Sequence, residues 1–203
     1  MRKAAKDADQ RYKEGTNRPL EGIPVCINDN IDTTDSPTTA GSPALKENTP
    51  KVDSQVWLRL QQVKGCINVG KTNMNEFSLG TTSCNGFYGN AKNAFDETKT
   101  AGGSSGGAGG AVGTGAVAFG LGTDTDGSIR IPASFNGIVG YRPTVNRWPS
   151  DFGVKCSHLK DSVGPMVQNM DDLLMIDEQM TEIRHKEVPL LKNLTITVPK
   201  IHF

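Results

Sequence analysis

The chain has 203 residues, with 22 basic and 22 acidic side chains and no long block of either sign. That is enough length for one domain with a sizeable core, and the balance gives no electrostatic reason for nucleic acid or an anionic membrane as a partner. The longest apolar runs, such as residues 116–121, are far too short to cross a bilayer. The charged opening MRKAAKDADQRYKEG is not a secretory signal, and four scattered cysteines with no C-x-x-C pair read as free thiols of a cytoplasmic protein. The three histidines have the wrong spacing to complete a zinc site with them.

Taken in chain order, residues 2–14 predict a helix that stops at Gly15. Residues 23–27 read as a short buried strand. Asp53 is placed to cap a helix whose apolar face carries Val56, Leu60 and Val63. A strand is expected at 66–69 and a short helix at 73–79. Beyond a glycine-rich stretch come a strand at 137–140, a helix at 171–180 and a strand at 194–198. Strands alternating with helices imply an α/β layered fold around a mixed or mainly parallel sheet.

The glycine-rich stretch holds eleven glycines between Gly102 and Gly127, interleaved with Ala111, Val112, Ala116, Val117, Ala118, Phe119 and Leu121. Flexible linkers are polar throughout, so apolar residues this regular mean buried glycines and backbone packed closely on backbone. Nearby, Gly65 to Thr72 fits the phosphate-loop pattern G-x-x-x-x-G-K-[ST]. That loop requires a preceding strand and open backbone between its glycines. Here a helix precedes Gly65 and the intervening Cys-Ile-Asn-Val is β-prone, so the segment reads as helix, C-cap and buried strand, with Lys71 beyond the strand. Ser157 and His158 are adjacent, which cannot supply the separated geometry of a Ser–His–Asp triad. The stretch GTDTDGSIR is different: Asp124 and Arg130 flank Ser128, and a Thr/Gly-rich turn into a buried serine can aim several N–H groups at an oxyanion.

GGSSGG at 102–107 and GTDTDGSIRIPASFNGIVGYRPT at 122–144 together resemble the amidase signature family. So do PLEGIPVCINDNIDTTDSPTTAGSPAL (19–45), GKTNMNEFSLGTTSCN (70–85), SHLKDSVGPM (157–166) and LKNLTITVPK (191–200), all in family order. Details such as PTTAGSPAL and YRPTVNRWPSDFGV look most like its indoleacetamide and mandelamide hydrolase branch. The resemblance implies an α/β/α layered fold around a mixed sheet and a Ser–cis-Ser–Lys site for small carboxylic amides. It implies no metal, no cofactor and no direct nucleic-acid or membrane partner, and it admits a homodimer. Ser128 matches the nucleophile and Ser104 the bridging serine, with the N–H groups of Thr125, Asp126, Gly127 and Ser128 as the oxyanion hole. The two hydroxyls are then expected about 2.5–3.0 Å apart, with a cis peptide before Ser104 or Ser105.

The lysine of that pattern falls at Asn28, an amide that cannot act as a base. Its side chain is expected to point at the serines and to hydrogen-bond Ser104. Lys71 matches a separate family feature and does not replace the lysine. Asp126 and Asn146 stand where glycine is usual, and Ala94 where proline is usual. The chain is about half the usual family length, which implies the N-terminal portion of one domain, 1–203. Two rival functions are an inactive relative kept for binding and an amidotransferase component serving tRNA-dependent amidation.

Overall fold

The computed structural model describes residues 1–183 and Thr195. The first helix, α1 (Arg2–Glu14), ends where expected, at Gly15 in the left-handed conformation (φ 67°). Behind it the buried Glu21 carboxylate is gripped by two arginines, Arg18 Nε at 2.7 Å and Arg11 Nη2 at 2.9 Å. Arg18 also donates to the carbonyls of Gln61 and Gln62, tying this corner to the next helix.

Five strands form one mixed sheet, in the order β2-β1-β3-β5-β4. They are β1 (Pro24–Asn28), β2 (Ile67–Thr72), β3 (Phe119–Asp124), β4 (Val139–Gly140) and β5 (Ser162–Val167). β1 lies parallel to both β2 and β3, and β5 runs antiparallel to β3 and β4. One face is covered by α2 (Gln55–Leu58, continuing as a π-helical turn through Lys64) and α5 (Met170–Thr181). There Val25, Ile27, Trp57, Leu60, Phe119 and Leu121 share a core with Leu173 and Ile176. The other face is covered by α3 (Gly106–Gly113) and α4 (Arg130–Phe135), where Cys26, Ala108, Val112, Ile129 and Ala133 meet. The α/β/α layering around a mixed sheet is as expected.

Several expected elements are corrected. The cap of α2 is Ser54, whose hydroxyl accepts from Trp57 N–H, while Asp53 accepts from Thr34 N–H instead. Val63 is exposed, and Trp57 takes the buried position beside Val56 and Leu60. The helix at 73–79 reduces to a 3-10 turn at Glu76–Ser78, because Phe77 and Ser78 both have positive φ. In the rejected phosphate motif, Gly65 is a left-handed C-cap after a helix and the motif runs into β2. Lys71 lies within that strand rather than beyond it, and only Cys66 and Ile67 of the expected buried segment are fully buried. The strand at 137–140 shrinks to two residues.

Two central strands, β3 and β5, are not among the expected elements. In β3 the glycines lower β-propensity, yet a Cβ on Gly120 would sit 3.0 Å from Cys26 Sγ and 3.2 Å from Ala108 Cβ. In β5 Pro165 argues against a strand, but its carbonyl accepts from Tyr141 N–H at 3.1 Å. The strand expected at 194–198 lies outside the described residues, apart from Thr195.

Candidate active site

Ser128 follows β3 in a tight turn that opens α4, with Gly127 at φ 132°. What shapes the turn is Asp124, whose side chain is fully buried. Its carboxylate accepts from Gly127 N–H at 2.7 Å and Ile129 N–H at 3.2 Å, and pairs with Arg130 (3.0 Å) and Arg142 (3.3 Å). Burial pushes this carboxyl up, but Arg130 and the two N–H groups outweigh it and hold it below the usual range. The Gly127 amide is therefore already engaged by Asp124, which corrects its assignment to the oxyanion set. Among the described residues the amides of Thr125, Asp126 and Ser128 donate no hydrogen bond within the protein. The turn is anchored from outside by Thr125 Oγ1, which donates to Asp161 at 2.6 Å. Asp161 in turn accepts from the amides of Cys156 and Ser157.

Ser104 lies in the loop before α3, and the Gly103–Ser104 peptide is cis, as expected. Its carbonyl accepts from Asn75 N–H (3.2 Å) and Ser83 Oγ (2.9 Å), and Ser83 Oγ accepts from Gly106 N–H (2.8 Å). The loop carrying Ser104 meets the turn carrying Ser128 through Ser105: its N–H donates to the Ser128 carbonyl at 3.2 Å. Ser105 Oγ also exchanges hydrogen bonds with the Thr123 backbone. The expected hydrogen bond between the two serine hydroxyls is not formed; Ser104 Oγ is buried without a partner.

Close approach explains the glycines. A Cβ on Gly107 would lie 2.5 Å from the Asn73 carbonyl oxygen and 2.7 Å from its nitrogen, both backbone atoms that cannot move aside. One on Gly106 would meet Ser83 Cβ at 2.7 Å.

Asn28 ends β1 fully buried. Its Nδ2 donates to Asn30 Oδ1 at 2.9 Å and to Met74 Sδ at 3.5 Å, not to Ser104 as expected, and its Oδ1 has no partner. The reason is local: Asn30, two residues on, is itself held by Thr123 Oγ1 at 2.9 Å and offers its oxygen back. Lys71 is aimed elsewhere. Its Nζ donates to the Ile31 carbonyl and to Thr38 Oγ1 (3.0 Å), with Asp29 at 3.9 Å. Burial lowers its pKa to about 8 against the pull of Asp29 and Asp32, and neither serine is among its partners. His158 is exposed, in keeping with its rejection as a triad base.

The departures at 94, 126 and 146 each have a local account. Ala94 N–H donates to Asn136 Oδ1 at 2.8 Å, a bond proline could not make. Asn146 takes the left-handed conformation (φ 68°) that glycine often supplies. Asp126 is exposed with Lys160 at 3.6 Å. Residues that sequence reasoning missed are the buried polar struts Ser83, Asn75, Asn136 and Asp161; nothing in their local sequence distinguishes them from loop residues.

The Amidase family profile matches residues 1–196. Mandelamide hydrolase of Pseudomonas putida is 40% identical over 204 residues, covering 96% of this chain and 40% of that protein. A glutamyl-tRNA(Gln) amidotransferase component of Levilactobacillus brevis is 44% identical over 174 residues, covering 83% of this chain and 35% of that one. Among solved structures, native peptide amidase from Stenotrophomonas maltophilia superposes with a TM-score of 0.82 at 32% identity, covering 91% of this chain and 38% of that one. The chain thus spans less than half the length of each of these relatives. A serine turn at the end of a central strand, a second serine loop that holds a cis peptide and is tied to the turn through Ser105, and a match over nearly the full length lead to one assignment: this chain belongs to the amidase family.

Proposed function

We propose that this chain forms the N-terminal portion, 1–203, of one amidase-signature domain that hydrolyses small carboxylic amides, with weakened catalysis. Ser128 is the nucleophile and Ser104 relays its proton. The oxyanion is held by the amides of Asp126 and Ser128, with Thr125 beside them. The observation that carries this reading is the Ser105-to-Ser128 backbone bond, which joins the two serine loops at the end of β3 while three amides of the turn stay unengaged. Weakening follows from Asn28: its hydrogen-bond partners are Asn30 and Met74, neither able to accept a proton at working pH. Loss of a positioned base costs about 10²–10⁴-fold in rate. The name of the Pseudomonas putida relative supports a small amide as substrate, and the free cysteines suit a cytoplasmic setting.

The test is Asn28→Lys in this chain joined to the C-terminal half of a relative, compared with the same protein retaining Asn28. The substituted protein should hydrolyse amides at least a hundredfold faster, the buried lysine carrying a lowered pKa. Equal rates would sink the assignment. The unpartnered Asn28 Oδ1 and Ser104 Oγ favour, as a second reading, a non-catalytic member kept for binding; hydrolysis by neither protein would select it. The identity to an amidotransferase component favours a third, which co-purification with partner proteins would reveal.

A further inference from the structure

The Ser104 carbonyl is gripped by two groups from one other segment of the chain. Asn75 N–H donates to it at 3.2 Å and Ser83 Oγ at 2.9 Å. Ser83 does more than donate. The same oxygen accepts from Gly106 N–H at 2.8 Å, so one hydroxyl spans the peptide groups on both sides of Ser105. Ser83 is itself held: its N–H donates to Asn75 Oδ1 at 2.7 Å, and Asn75 Nδ2 donates to the Cys84 carbonyl at 3.3 Å. Both residues are buried, Ser83 fully. Opposite them Gly103 is packed so closely that a Cβ would lie 2.7 Å from the Ser83 nitrogen.

The backbone of this segment is strained. Phe77, Ser78 and Ser83 all take positive φ (51°, 63° and 50°), which is costly for any residue with a Cβ, and such strain gathers at functional sites. Glycine would adopt that conformation at 83 freely but has no hydroxyl. What serine adds there is the double bond to the Ser104 loop. Ser104 needs such support, because no protein group among the described residues hydrogen-bonds its Oγ, and its rotamer then follows from the backbone that carries it. That backbone is fixed from one side by Ser83 and from the other by Ser105, whose N–H donates to the Ser128 carbonyl. We propose that Ser83 is a positioning residue for the proton relay: held by Asn75, its hydroxyl sets the direction of Ser104 Oγ relative to Ser128. This rests on reading Ser104 and Ser128 as the reacting pair. Ser83 moves no proton itself, since its hydroxyl is engaged as both donor and acceptor within the loop. A misplacement of about 1 Å caused far from the chemistry costs about 10²-fold in rate, so a group that touches no reacting atom still controls it.

Two variants remove the hydroxyl in different ways: Ser83→Ala keeps the strained backbone and Ser83→Gly relieves it. In this chain, three-bond couplings measured by NMR read the Ser104 χ1 angle. The native protein should show a single rotamer, and both variants should average over several. In the Asn28→Lys protein joined to a relative's C-terminal half, both variants should lose at least about tenfold in kcat, with KM within about twofold of the parent. A general loosening of the fold would instead raise KM and lower the melting temperature. A single Ser104 rotamer in both variants, or an unchanged kcat in both, would overturn the proposal. So would a loss seen with alanine and restored by glycine, which would trace to strain and not to the hydroxyl. The NMR readout needs no hydrolysis. An inactive Asn28→Lys protein would therefore sink the proposed function while the rotamers of Ser104 in this chain still decide the role of Ser83.

Discussion

The two faces of the sheet are built on opposite principles. On the α2/α5 face, Trp57, Leu60, Phe119 and Leu121 fill the space between layers with large apolar side chains. On the α3/α4 face the side chains are small, backbone approaches backbone, and polar groups such as Ser83, Ser104 and Asn136 lie buried among glycines. Apolar burial at about 25 cal/mol per Å² makes the first face the main source of stability. The second face gives up that gain to bring two serine loops and three segments together. One face holds the fold and the other holds the candidate site.

That contrast is easiest to break on the apolar side. Trp57→Ala should cost about 3–5 kcal/mol by denaturant unfolding, the range for deleting a buried aromatic side chain. A cost under about 1 kcal/mol would mean this face does not carry the fold. On the site face the largest single effect should come from Asp124. Asp124→Ala leaves two turn amides and Arg130 without their acceptor and should cost about 2–3 kcal/mol.

Acid should act on the same group. Its folded pKa lies below the ordinary 3.8, so its contribution is present above that value and is lost as pH falls through the folded pKa. Glu21, held low by Arg18 and then Arg11, adds a loss of the same sign below its ordinary 4.5. Unfolding free energy should therefore drop below about pH 4.5, and Asp124→Asn should flatten part of the drop. A profile unchanged by that substitution would remove Asp124 from the account.

Gly107→Ala should cost about 1–3 kcal/mol, the usual penalty of overpacking, because its methyl would press on Asn73 backbone. A neutral result would show that the glycine-rich face has room the distances deny. The smallest effect is also the sharpest. Thr72→Val removes a buried hydroxyl that has no partner, so stability should stay within about 1 kcal/mol of the native value or rise. A loss larger than that would mean the hydroxyl is already well satisfied.

Legibility follows the length over which a signal is local. α1 with its Gly15 cap and α5 with its apolar spacing are readable, since helix periodicity and capping involve neighbours a few residues apart. The rejection of the phosphate loop also holds, because the helix before Gly65 is a local fact. β3 and β5 are not readable: Gly120, Gly122 and Pro165 argue against strands one by one, and only pairing on both sides overrides them. The cis peptide at Ser104 follows from resemblance. Asn28 is buried rather than facing solvent, as expected, but its amide donates to Asn30 and not to Ser104.

By itself the sequence determined the family and the layering, because family motifs and apolar period are written along the chain. Tertiary structure alone decided which groups are engaged and which are free. Asp124 takes the Gly127 amide, Asn30 takes Asn28, and Ile31 with Thr38 takes Lys71. A buried donor or acceptor that is satisfied takes whichever partner the packing brings within about 3 Å, and the winner is a near neighbour for Asn28 and Gly127 but a distant segment for Lys71.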